Sequence, residues 1–280
     1  MSRAADLETH QLSLRQLRPL HIQRTMTLRL AIAQIDMCWT TAHNLQAMRQ
    51  AAELAKAQGA TLCAFSELAV TGYHREIARE SRPEVVAPAI SALCEQAAQL
   101  QMAMALGAPT FTGDGRILNS HLLIDADGRL VATVSKSGLT LAEATFFARG
   151  DSRPVARLGG QRCSAVICRE VSDLAEISAQ LPLGRVDLIF VPGALRQDPE
   201  KPRTDPPGFV RDIQRLAQAT GAHVVQTNWP NALNRPEESI EGGGSVVVAP
   251  DGELLFRLPG QRSGVAVFDL GARQFDWFAQ

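Results

Sequence analysis

The stretch LRLAIAQIDMCWTTAHNLQAMRQAAELAKAQGATLCAFSEL, Leu28–Leu68, decides the fold. It opens on an apolar run too continuous for a strand with one wet face, so the run reads as a strand buried on both faces. Leu45, Met48, Ala52 and Ala55 then recur at helical spacing, and Gly59 stands where that helix would stop. TLCAFSEL is a second buried strand. Strand, helix and strand in succession argue for an α/β fold.

The alternation continues downstream. Ile90, Leu93, Ala97 and Leu100 share one helical face, and MAMALGAPTF is the next strand. Residues 118–136 read as two strands around a turn at Asp127-Gly128, and GSVVVAPDGELLFRL as a second hairpin turning at Asp251-Gly252. Between them lie the strand-like RCSAVICRE and VDLIFVPGA, the helical GFVRDIQRLAQATGA and the strand HVVQTNWP. RQDPEKPRTDPPG (196–208), between a strand and a helix, reads as a loop over a site. Nothing resembles a linker. The reading is one domain over residues 27–280, preceded by an extension over 1–26 that fits an amphipathic arm, an extra helical turn or a disordered lead equally well.

Composition removes several function classes. In 280 residues, 28 Lys and Arg nearly cancel 29 Asp and Glu, so no basic excess points to nucleic acid. No apolar run approaches the roughly 20 residues that span a bilayer, and the start lacks the apolar centre of a secretory signal, which together suggest a cytoplasmic protein. The five cysteines, Cys38, Cys63, Cys94, Cys163 and Cys168, are odd in number and unpaired in spacing, as expected in a reducing compartment. Without CxxC, HExxH or a close His–carboxylate cluster, the expectation is no metal.

Three buried strands run into reactive polar groups: CAFSEL into Glu67, VATVSK into Lys136 and AVIC into Cys168. In open α/β sheets ligands gather beyond the carboxyl ends of strands. Taken singly, each residue has a plainer explanation, a solvated loop Glu or Lys and a buried core cysteine.

Taken together, FSELAVTGY, SKSGLTLAEATFFARGD and ICREVSD resemble, in order, the three signatures of the nitrilase, or carbon–nitrogen hydrolase, superfamily. LRLAIAQID resembles its first strand, and GGGSVVVAPDGELL with GVAVFDL its closing strands, so the likeness covers roughly residues 28–270. The resemblance implies a four-layer α-β-β-α sandwich, commonly a homodimer, and a Glu–Lys–Cys triad carried here by Glu67, Lys136 and Cys168. It also implies a second glutamate, matched by Glu143.

The implied activity is hydrolysis of a small linear amide to acid and ammonia through a cysteine thioester. N-carbamoyl amides and nitriles are alternatives on the same triad, and a non-catalytic scaffold is the alternative of another class. A Cys-His-Glu amidotransferase is disfavoured: Cys168 lacks a flanking Gly-x-Cys-x-Gly elbow, and His223 has no carboxylate two residues on. In the thioester route Glu67 would act as general base and then acid. Lys136 and the Arg169 N–H would stabilise the oxyanion, and Lys136 would favour the thiolate. Glu143 would hold Lys136 or the substrate amide, and the implied chemistry needs no cofactor.

The sequence departs from the family's commonest pattern after the nucleophile, where Arg169 replaces an aromatic residue and Glu170 follows. Arg169 and Arg196 together would suit a substrate carboxylate, although an ion pair is the plainer reading of Arg169. Tyr73, Asn228 and Trp229 are candidate pocket walls.

Overall fold

The computed structural model describes residues 28–196, 204 and 207–280. The N-terminal extension and most of the 196–208 segment therefore lie outside the described residues. The chain runs β1 (Arg29–Gln34), α1 (Thr41–Ala57), β2 (Leu62–Ala64), α2 (Ile77–Glu80), α3 (Pro83–Leu100), β3 (Ala103–Phe111), β4 (Ile117–Ile124) and β5 (Leu130–Ser135). It continues through β6 (Ala156–Leu158), β7 (Gln161–Ala165), α4 (Leu174–Gln180), β8 (Leu188–Gly193), α5 (Gly208–Thr220) and β9 (His223–Asn228). The last strands are β10 (Val246–Val248), β11 (Leu254–Arg257), β12 (Gly264–Asp269) and β13 (Asp276–Ala279).

Two sheets result. The first has the order β13-β12-β1-β2-β3-β4-β5 and the second β11-β10-β9-β8-β7-β6. In each, the central strands joined by crossovers are parallel: β1 with β2 and β2 with β3, then β7 with β8 and β8 with β9. The two turns read from Asp-Gly pairs join antiparallel partners, β4 with β5 and β10 with β11.

Side-chain alternation along the strands sorts the core into three layers. Met48, Ala52 and Ala55 of α1 and Leu93 and Ala97 of α3 pack on the outer face of the first sheet against Ala31, Cys63 and Met104. The opposite faces meet sheet to sheet, with Leu30, Ile32, Leu62 and Ala105 against Ala165, Leu188, Phe190 and Val225. Ile177 of α4 and Val210, Ile213 and Leu216 of α5 cover the outer face of the second sheet over Ile189, Val191 and Val224. This is the four-layer α-β-β-α sandwich. Its middle layer consists largely of fully buried aliphatic side chains, each stabilising the docking by about 1.5–3 kcal/mol relative to exposure.

The strands stop earlier than the sequence suggests. β2 ends at Ala64, three residues before Glu67, and β7 ends at Ala165, three before Cys168; only Lys136 directly follows its strand, β5. The extra residues let the chain leave the sheet and turn back over its end. Leu68 and Cys168 sit in left-handed backbone, at φ 50° and 55°, a conformation costing a non-glycine residue on the order of 1–3 kcal/mol. The turn after Glu67 lies directly on β3 at Gly107, where any Cβ would fall 2.2 Å from the Leu68 nitrogen. Among the described residues no helix is long and apolar enough to cross a membrane.

Candidate active site

Glu67 and Lys136 emerge from the first sheet and Cys168 from the second, so the site lies on the seam between them. Lys136 is fully buried and donates from Nζ to Glu67 Oε1 at 2.7 Å and to Glu143 Oε1 at 2.6 Å. Burial alone would lower the lysine pKa, but the charges of Glu67, Cys168 and Glu143 outweigh it and hold the ammonium above its ordinary value. An ammonium has three N–H bonds; two are engaged here, and the third has no partner among the described residues.

The two oxygens of Glu67 differ. Oε1 accepts from Lys136 and from Asn119 Nδ2 at 2.8 Å, whereas the buried Oε2 has no partner among the described residues. Asn119, on the same face of β4 as His121 and Leu123, is a site residue that sequence reasoning missed. The signal available was an amide inside an apolar strand, which needs a partner when buried. Glu143 is anchored separately: its Oε2 accepts from Thr140 N at 2.8 Å, and its own N–H donates to Thr140 Oγ1 at 3.1 Å. The geometry therefore fixes the Glu143 carboxylate against Lys136 Nζ.

Cys168 opens a short 3-10 turn, Cys168–Ser172, and is half-buried. Its thiol is pushed up from 9.0 to about 12 by burial and by the Glu67 charge, against the opposing pull of Lys136 and of the Ala194 N–H. The resting sulfur is thus a thiol. Lys136 pulls toward the thiolate, as the sequence suggests, but burial and Glu67 win.

Glu170 fixes the turn. Its Oε1 accepts from Ser137 N (2.7 Å), Ser137 Oγ (2.9 Å), Gly138 N (3.0 Å) and Arg153 Nη2 (3.0 Å), and its Oε2 from Ile167 N (2.6 Å). One buried carboxylate so ties the backbone after Lys136 to the residue before Cys168. Burial pushes its carboxyl up, but Arg153 and the N–H donors of Gly138 and Ile167 outweigh that and hold it below its ordinary 4.5. Arg153, also unforeseen, further donates to the Ala165 carbonyl.

The remaining candidates divide. Arg169 pairs with Asp173 Oδ2 at 2.5 Å, the plainer of its two readings. Arg196 lines a cavity with Tyr73 and Ala194. Tyr73 is half-buried, and burial together with the charges of Glu67, Glu143 and Cys168 raises its hydroxyl pKa, so it stays a neutral donor. Trp229 lies fully buried with Nε1 donating to the Glu67 carbonyl at 2.9 Å. Asn228 donates to the carbonyls of Leu195 (2.7 Å) and Gly243 (2.9 Å) and accepts from Leu195 N (2.8 Å). Both brace main chain around the site. Among the described residues no group of three or more His, Cys, Asp or Glu side chains is placed to hold a metal.

The chain is similar to several known proteins. A crystal structure of an amidase from Nesterenkonia sp. superposes with a TM-score of 0.75 at 28% identity, covering 87% of this chain and 90% of that one. That amidase has also been solved with butyramide, at 29% identity and a TM-score of 0.75 over 87% of this chain and 91% of that one. A glutamate-to-glutamine variant of it carries the acetamide moiety of fluoroacetamide on its active-site cysteine. A Pseudomonas protegens protein described as "Hydrolase in pqqF 5'region" is 28% identical over 244 residues, 84% of this chain and 80% of its own length. The glutamine-dependent NAD(+) synthetase of Rhodobacter capsulatus is 26% identical over 262 residues, 90% of this chain. The chain spans only 45% of that synthetase. The carbon–nitrogen hydrolase family model matches residues 29–274, and the chain belongs to that family of hydrolytic enzymes.

Proposed function

We propose that the protein hydrolyses small linear amides to carboxylic acid and ammonia through a thioester on Cys168. The observation that carries this reading is the asymmetry of Glu67: one oxygen is held by Lys136 and Asn119, the other is buried and unengaged, beside a thiol that rests protonated. Such a carboxylate suits a base that acts only as the sulfur attacks.

Glu67 takes the Cys168 proton while sulfur bonds to the amide carbon, and the carbonyl electrons move onto oxygen. The free Lys136 N–H and the Arg169 N–H face that oxyanion; one preorganised donor of this kind is worth roughly 3–4 kcal/mol in the transition state. Glu67 returns the proton to nitrogen, the C–N bond breaks and ammonia leaves. Water then attacks the thioester, giving its proton to Glu67. The C–S bond breaks, the acid departs and the thiol is restored. Glu143 keeps Lys136 aligned throughout.

The amidase structures support an amide over a nitrile, and the synthetase relatives make glutamine a second amide to assay. N-carbamoyl amides would follow the same steps. The homodimer implied by the resemblance belongs to this proposal and is tested by light scattering. The chemistry is tested by ammonia release from butyramide, acrylamide and glutamine, with intact-mass detection of an acyl group on Cys168. An acyl adduct absent from Cys168, or turnover persisting in Cys168→Ala, would overturn the reading.

A further inference from the structure

Next to the nucleophile lies a cavity of about 300 Å³ whose lining includes Tyr73, Ala194, Leu233, Arg196, Arg235 and Glu238. Two observations join it to the reacting atoms. Ala194 directly follows Gly193, where an added Cβ would sit 3.6 Å from the Cys168 sulfur, and Tyr73 also lines a second cavity together with Glu143. The cavity is therefore where the part of a substrate beyond the scissile amide would extend.

Its charges do not balance. Glu238 is shared by two guanidinium groups: Oε2 accepts from Arg196 Nη1 at 2.8 Å and Oε1 from Arg235 Nη1 at 2.9 Å. Among the described residues, the charged ones that line the cavity are these three, which leaves one positive charge over. Arg196 is the more enclosed cation, its side chain 19% exposed against 72% for Arg235. Its Nη2 donates to the Asn231 carbonyl at 3.2 Å, while its Nε–H is sealed from solvent without an acceptor among the described residues. Leaving a buried donor unsatisfied is costly, and more so for a charged group. The Nε–Nη2 edge of a guanidinium is also one that grips a carboxylate side-on.

Resting on the amidase reading, we propose that the preferred substrates are linear amides bearing a carboxylate at the far end, seated along the Nε–Nη2 edge of Arg196. A neutral acceptor would satisfy the Nε–H but leave the surplus charge; a carboxylate answers both. Glu238 orients Arg196 from the opposite edge, and its own charge is offset by Arg235. Arg169, the other arginine considered for this role, is paired with Asp173 and does not line the cavity.

The test compares kcat/KM for the monoamides of succinic, glutaric and adipic acids with butyramide and valeramide, in the wild type, Arg196→Ala and Arg196→Gln. The acid-to-neutral ratio for the best-fitting chain length should exceed unity in the wild type. It should fall about 10- to 100-fold in Arg196→Ala, the loss of one charge-assisted hydrogen bond. Arg196→Gln keeps a donor and most of the bulk without the charge, so it should lose the same preference even if the alanine variant folds poorly. Calorimetric binding of glutaramate to Cys168→Ala gives the same comparison without turnover. Neutral amides used as well as acids by the wild type, or an acid preference that survives both Arg196 variants, would overturn this inference and leave the amidase reading intact. No acylation of Cys168 by either class would overturn both.

Discussion

Glu67→Gln separates two ways of activating Cys168. With the thiol near 12, only about one sulfur in 10⁵ is thiolate at pH 7. That fraction rises tenfold with each pH unit. If Glu67 removes the proton during attack, alkylation of the wild type by iodoacetamide draws on the abundant thiol, and its rate should be nearly flat from pH 6 to 9. In Glu67→Gln that route is gone. Loss of the neighbouring negative charge should also lower the thiol pKa by about 1–3, to roughly 9–11. The variant should therefore label slowly at pH 6 and accelerate close to tenfold per pH unit until about pH 9. Amide turnover, which needs the same group to protonate the leaving nitrogen, should fall about 10²- to 10⁴-fold at pH 7. The assay is labelling at several pH values, with the modified cysteine mapped by mass spectrometry, beside ammonia release. Parallel pH profiles in the two proteins would refute the reasoning, because the sulfur would then react as a thiolate whether or not Glu67 is present.

Other expectations follow from single contacts. Cys168→Ala should lower turnover by roughly 10⁴-fold or more, yet move the unfolding midpoint little, since a small half-buried side chain in left-handed backbone contributes little packing. Glu170→Gln should destabilise by about 3–5 kcal/mol, because Arg153 is left as an uncompensated buried charge. Glu170 is depressed in the fold, so its contribution is present above pH 4.5 and fades as pH falls; the stability gap between wild type and variant should narrow below that value in urea melts. His121, buried with neither ring nitrogen partnered among the described residues, is lowered by burial from 6.5 to about 3. The unfolded chain thus binds a proton that the folded chain does not, and stability falls as pH drops from 6.5 toward 3. His121→Phe, packed against Phe190, should flatten that dependence; an unchanged slope in acid urea melts would assign it to other groups.

The residues by themselves disclosed whatever repeats locally, while Glu67, Lys136, Cys168 and Glu143 were read together only through the resemblance of three motifs to a family. The helical spacing of Met48, Ala52 and Ala55 survives as the buried face of α1, and the Asp127-Gly128 and Asp251-Gly252 turns join paired strands. The Arg169–Asp173 pair has an i,i+4 spacing that a sequence can suggest. Asn119 meets Glu67 across 52 residues and Trp229 meets it across 162, separations at which no local period carries information. The three-residue overshoot past β2 and β7 was equally hidden. Apolar runs do not say where pairing stops, and Phe65 after β2 and VIC (166–168) after β7 look like strand although they already lie in the turns that carry Glu67 and Cys168.

That overshoot matters because the reacting groups belong to different sheets. Glu67 and Lys136 follow strands of the first sheet and Cys168 a strand of the second, so their spacing depends on how the sheets dock. The aliphatic middle layer drives docking but tolerates small slides, since apolar burial is non-directional. Hydrogen bonds across the seam supply direction. Trp229, beyond β9, holds the Glu67 carbonyl; Glu170, beyond β7, holds Ser137 and Gly138 behind Lys136; and Gln34 at the end of β1 accepts from Ser245 N and Oγ just before β10. One of these acts on a triad residue, one on the residues that follow Lys136, and the third lies at the neighbouring strand ends. These bonds tie the two sheets together at the strand ends that carry Glu67, Lys136 and Cys168. A substitution that loosens Trp229 or Glu170 should therefore lower kcat through the alignment of the triad, with a smaller effect on KM, even though neither side chain need touch the substrate.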